Sequence, residues 1–273
     1  MQGWINWARA AAGAAAMVGA SGVAMSGAWA QDGPLPRATA YGELAALPDW
    51  SGVWQADWGT LFGPGGGPAQ PKLTPAAQAR LDAFRAQEEA EGVGQLAQIE
   101  CIPPGMPAIM RQPYPMEIIF SPGRVTIFAE TYSQARRIYT DGRPLPEDPD
   151  LLFNGNSVGR WEGDTLVVDT IGFSPQTNIM AGIPHSGDTR IQERIWLERP
   201  GQLLIETTVT NPEIFTEPFV TTQAYALEAD WEIREYVCAE NNRLVTGEGG
   251  ANVDLGLDDF DEEDPFGPLP PED

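Results

Sequence analysis

One histidine in 273 residues, two cysteines and only 16 lysines and arginines are the scarcities that bound this chain. A single imidazole, His185, excludes the common zinc sites that need two or three of them. Neither cysteine is part of a Cys-x-x-Cys pair, and no Gly-rich phosphate loop or dinucleotide fingerprint occurs, so a cofactor-free protein without a bound metal is expected. Against the few bases stand 39 aspartates and glutamates, a formal net charge of -23. That charge excludes nucleic acid and anionic lipid surfaces as partners, because both are held through Lys and Arg contacts to phosphate. Beyond residue 30 no apolar run approaches the ~20 residues of a membrane span.

The first 30 residues are different. Arg9 precedes the apolar and small-residue run Ala10 to Met25, and Ala28-Trp-Ala30 matches the small-x-small pattern of a signal peptidase site. Residues 1–30 therefore read as a secretory signal cleaved before Gln31, with the protein working in a periplasm or outside the cell; a retained anchor is the competing reading. After it come a Pro- and Ala-rich lead-in arm, 31–48, a single β domain, 49–245, and an acidic tail, 246–273, expected to be disordered. Nine acids and no base lie between Asp254 and Asp273. The run Asp258 to Asp264 lacks the loop glycine and spacing of an EF-hand, so it reads as a solvated tail, or at most a docking segment for a basic protein partner. In an exported chain the lone pair Cys101 and Cys238 is most simply a disulfide, with two buried thiols or a catalytic cysteine as alternatives.

Within the domain, one helix is expected over 74–91. Thr74 is placed to cap it, Pro75 suits its first position and Gly92 stops it, while Leu73, Ala77, Leu81 and Phe84 form a stripe that would pack on the outside of the body. From residue 115 the pattern changes to short strands between turn residues. Candidates run Met116–Phe120, Arg124–Glu130, Ala135–Thr140, Ser157–Trp161, Asp164–Ile171, Thr189–Glu198, Gln202–Thr210, Phe219–Leu227 and Trp231–Cys238, with Trp50–Trp54 upstream. Short connections imply antiparallel neighbours, hence a mainly β, antiparallel meander. So many strands tend to curl and hide their edges, which favours a lipocalin-like barrel over a β-sandwich. In Gln202 to Thr210, Leu203, Ile205, Thr207 and Val209 share one face, as a barrel wall requires.

Several phrases resemble an exported bacterial protein family of unknown function: Cys101-Ile-Pro-Pro-Gly-Met-Pro107, Ile138-Tyr-Thr-Asp-Gly-Arg143, Ser157-Val-Gly-Arg-Trp-Glu-Gly-Asp-Thr-Leu-Val-Val-Asp169, His185-Ser186, Glu193-Arg194 and Cys238-Ala-Glu-Asn241. The resemblance spans residues 50–241 and implies one continuous domain; it implies no chemistry.

Candidate chemistry rests on few side chains. His185, in a Gly/Pro loop with Ser186 and Asp188, has the titration range of a general acid or base, and equally that of a loop residue bonded to its neighbours. No Gly-x-Ser-x-Gly elbow supports Ser186 as a nucleophile. In each of the adjacent pairs Arg136/Arg137 and Glu193/Arg194, and among Glu232, Arg234 and Glu235, strand geometry sends neighbours to opposite faces, so a charge can enter the interior. Asp141-Gly-Arg143 and Glu162-Gly-Asp164 read as turns. Trp50, Trp54, Trp58 and Trp161 read as an aromatic pocket or as core. Two functions follow. One is extracytoplasmic binding of a small, largely apolar or aromatic molecule in a barrel pocket, with Trp54, Trp161, Arg137 and Tyr236 as contacts. The other is a cofactor-free lyase, isomerase or hydrolase using His185 with Glu193 and Arg194.

Overall fold

The computed structural model describes residues 38–57, 59, 70–91, 101–238, 244–247 and 250–253. The expected signal segment and cleavage point, Trp58 and the residues from Asp254 on lie outside the described residues.

Nine strands close into a barrel: β1 (Gly52–Ala56), β2 (Met116–Ser121), β3 (Arg124–Ala129), β4 (Gln134–Tyr139), β5 (Asn156–Glu162), β6 (Thr165–Ile171), β9 (Arg190–Arg199), β10 (Gln202–Thr210) and β11 (Phe219–Leu227). Their order around the wall is β1-β11-β10-β9-β6-β5-β4-β3-β2. A short hairpin, β7 (Asn178–Met180) and β8 (Ile183–Pro184), sits between β6 and β9 in the chain, and a second, β12 (Leu244–Gly247) with β13 (Gly250–Val253), pairs residues at the start of the expected tail. The alternation of β10 is realised as read, with Leu203, Ile205, Thr207 and Val209 buried. Gly163 and Gly201 turn the hairpins β5–β6 and β9–β10 at φ 61° and 76°, a region that favours glycine.

The wall is not a pure meander. Eight of its neighbour pairs are antiparallel, but β4 and β5 run parallel, aligned only at Ile138 with Ser157 and Tyr139 with Val158. The reason is parity. Strands that reverse at every step return to their starting direction only if their number is even, so a closed ring of nine needs a parallel neighbour. The chain meets that need by crossing over through residues 140–155 instead of making a tight turn. The expected strand Trp231–Cys238 is irregular, because β11 already pairs with β10 and β1 and the closed wall has no edge left to extend.

Both ends of the barrel are covered. At the end of the β2–β3 and β5–β6 turns, Trp50 packs 5.1 Å from Trp161 and 6.1 Å from Phe120 between ring centroids. The arm crosses there, the carbonyl of buried Ala38 accepting from the amide of Gly123, followed by a 3-10 helix over Tyr41–Ala46. At the other end, the Cys101 to Pro107 phrase and the 3-10 turn Ala108–Arg111 insert Met106, Ile109 and Met110 into the core. Tyr225 donates its hydroxyl to the Met110 carbonyl at 2.5 Å, holding this plug to β11. Helix α1 (Pro75–Glu91) starts as expected, with the Ala77 amide donating to Thr74 Oγ1 at 3.3 Å and Thr74 Oγ1 donating to the Glu213 carbonyl. It buries Ala77 and Leu81, and sets Phe84 on Gly182, where a Cβ would lie 2.4 Å from the ring. Cys101 and Cys238 form a disulfide.

A candidate functional site at the parallel seam

The parallel seam is aligned only at the C-terminal end of β4 and the N-terminal end of β5, so residues 134–137 of β4 have no strand partner across it, and the crossover chain frames the opening. The result is a cavity of about 760 Å³. Its walls include Leu145, Pro146, Leu152, Phe153 and Val158, with Arg137, Tyr139 and Arg143 at its outer side. It reaches Arg136 and Ser157, which belong to the inner face of the barrel and are buried.

Strand parity explains this floor. Arg136 shares the inward face of β4 with Ile138, so its guanidinium enters the core, where Glu193 of β9 is fully buried opposite it. Arg136 Nη1 donates to Glu193 Oε1 at 3.0 Å and Nη2 donates to Oε2, a bidentate pair. Nη2 also reaches Thr170 Oγ1 at 3.2 Å and Ser157 Oγ at 3.4 Å, and these two hydroxyls lie 2.9 Å apart. Two buried ions persist in a hydrocarbon core only when paired and hydrogen-bonded to each other. Nearby, burial first and the Glu193 charge second raise the Tyr225 phenol far above its ordinary range, and burial lowers the Arg111 guanidinium. Two buried atoms of the lining have no protein hydrogen-bond partner: Arg136 Nε and Asn154 Oδ1. Such atoms are costly when dry, and a bound polar group or water satisfies them.

At the outer side, the Arg143 guanidinium lies 3.8 Å above the centre of the Tyr139 ring. Asp141 grips it through Nε to Oδ1 at 2.9 Å and Nη2 to Oδ2 at 2.6 Å. Those hydrogen bonds hold the Asp141 carboxyl below its usual range and raise Arg143. The Asp141-Gly-Arg143 stretch is a bend that opens the crossover, where a tight turn was expected, and Arg143 forms one lip of the cavity.

Of the residues singled out in the sequence, Arg136, Arg137 and Arg143 line this cavity, and of those expected to contact a ligand only Arg137 does. Trp54 and Trp161 are not on an open barrel mouth: both are buried in the core, Trp54 Nε1 donating to the Trp50 carbonyl at 2.8 Å. Tyr236 stands elsewhere, 5.2 Å from Tyr114 and 5.3 Å from Tyr132 between ring centroids. Glu193 and Arg194 face opposite sides of β9. Glu193 points inward, whereas Arg194 is half-exposed on the outer wall and donates to Glu162 at 2.9 Å, so the two do not converge. His185 is 5 % exposed, stacked on Phe173 at 4.5 Å, with Nε2 donating to the Met106 carbonyl at 2.7 Å. Burial lowers its pKa to about 4, so the ring is neutral near pH 7, with its proton on Nε2 and a dry Nδ1. It locks the plug to the barrel.

Sequence reasoning missed Asn154 and Tyr139, and read Arg143 only as part of a turn. Arg136 was legible from parity, since apolar Ile138 two positions on marks the inward face. Tyr139 and Arg143 were not, because the crossover brings them over the cavity only after the seam forms.

The class defined by this geometry is a closed nine-stranded β-barrel with a cavity through its wall. No family model and no curated protein matches the chain. Among solved structures, a variant of the fluorescent protein UnaG is similar at 13% sequence identity, over 66% of this chain and 97% of that one, with a TM-score of 0.30.

Proposed function

We propose that the protein acts outside the cytoplasm as a binding protein for a small, largely apolar or aromatic molecule, held in the cavity at the β4–β5 seam. The observation that carries this reading is the cavity itself, about 760 Å³ with apolar walls and a few placed polar groups, the usual character of small-molecule sites. The export reading is supported by the leader-like first 30 residues, by the resemblance to an exported family and by a disulfide, which persists in oxidising compartments. The exposed side chains Leu151 and Leu152 extend an apolar approach to the opening.

The test is titration with the neutral, solvent-sensitive dye Nile red. Saturable binding at one site is expected. Val158→Trp fills the cavity from the outer face of β5, and Leu152→Asp places a charge on its half-exposed wall, so each is expected to weaken the dye about tenfold or more. Both positions lie outside the core, and a thermal melt verifies that the variants fold. No saturable binding, or undiminished binding by both variants, refutes the proposal.

A further inference from the structure

We propose that the seam cavity takes its ligand by an anionic group, which Arg137 grips in concert with Arg143; the inference rests on the binding function proposed above. In a chain with a net charge of -23, a concentration of guanidinium groups is the exception that needs explaining. Three arginines line this one cavity, Arg136, Arg137 and Arg143, against a single lining carboxylate, Glu147, which is exposed.

Their states differ. Arg136 is neutralised by Glu193 and forms the floor, and Arg143 is partly neutralised by Asp141. Arg137 has no acidic partner among the described residues. It shares the outer face of β4 with Tyr139, two positions along, roughly 7 Å apart on a strand. Because Arg143 is parked above the Tyr139 ring, both guanidiniums border the same outer side of the cavity. Arg124 stands directly across from Tyr139 on β3, with its Nε donating to Ser121 Oγ at 3.2 Å and likewise no acidic partner among the described residues. The positive charge around Tyr139 is therefore undercompensated.

The physical consequence is selectivity. The net charge of the body repels anions at long range, but screening limits that repulsion to about 8 Å at physiological ionic strength. Inside that distance the Arg137 fork presents five N–H donors suited to a carboxylate. Tyr139, Leu152 and Phe153 would receive the apolar or aromatic body of such an acid. The ligand class is an amphipathic organic acid: a carboxylate on an apolar or aromatic frame.

Displacement of bound Nile red separates this inference from the function it rests on. Naphthylacetate and its neutral isostere naphthylacetamide share one ring system, so their difference reads the charge. The acid is expected to compete about tenfold better than the amide. In Arg137→Gln that preference, read as the ratio of acid to amide within the same variant, is expected to collapse to about unity; Arg124→Gln is expected to reduce it in part. Equal competition by acid and amide overturns the inference and leaves the cavity as a binding site, as does Nile red binding that neither compound displaces. A preference that survives in Arg137→Gln also overturns it. Failure of Nile red itself to bind refutes the binding function and this inference with it.

Discussion

The buried imidazole of His185 makes the stability of this protein depend on pH in a window where no other side chain ordinarily titrates. It is the only histidine in the chain, and its folded-state pKa is lowered to about 4 because burial disfavours the charged ring. In the unfolded chain the ring titrates near its ordinary value, about 6.5. Above that pH neither state binds the proton and the neutral ring stabilises fully; as pH falls, the unfolded state gains a proton the native state refuses, and stability is lost. With these two values the loss amounts to about 2 kcal/mol between about pH 7.5 and about pH 5, and about 3 kcal/mol by about pH 4. Urea unfolding followed by tryptophan fluorescence at intervals across that range measures it. The comparison protein is His185→Gln, whose amide can still donate to the Met106 carbonyl and does not titrate. It should be less stable than the parent at about pH 7.5, through the lost stacking on Phe173, and should show little of the decline above about pH 5. An equal decline in both proteins would refute the buried, neutral state of His185.

Two further perturbations probe the rest of the scaffold. Glu193→Gln leaves the Arg136 guanidinium charged inside the barrel without its carboxylate and should cost about 3–5 kcal/mol in urea unfolding, whereas the double change Arg136→Met with Glu193→Leu should restore most of that loss. A double variant as unstable as the single one would mean that the pair is not the isolated buried ion pair described. Reduction of Cys101–Cys238 opens a loop of 137 residues, and the chain-entropy model puts the loss at up to about 5 kcal/mol. An unchanged melting temperature with both thiols titratable would show that the bridge does not restrain the unfolded chain.

Strand existence was legible because alternation and turn residues are local. Gln202 to Thr210 and the Glu162-Gly-Asp164 turn owe their form to side-chain period and to glycine's freedom, and both are found as read. The N-terminal signals of helix α1 are local too, and Thr74 caps it. What local pattern does not carry is which strand meets which. Nothing within Trp231–Cys238 differs from a strand, yet it is irregular because β1, from far upstream, had already closed the wall. The same long-range closure decided for core over pocket at Trp54 and Trp161, and for a bonded residue over a general acid or base at His185.

The amino-acid sequence alone determined the nine strands of the wall, the start of the helix, the acidic balance and the cysteine pair available for bridging, since each follows from residue type and short-range spacing. Tertiary structure alone decided the site. Nine strands cannot all alternate around a closed ring, so the barrel carries a parallel seam, and that seam places a cavity beside Arg137, Tyr139 and Arg143.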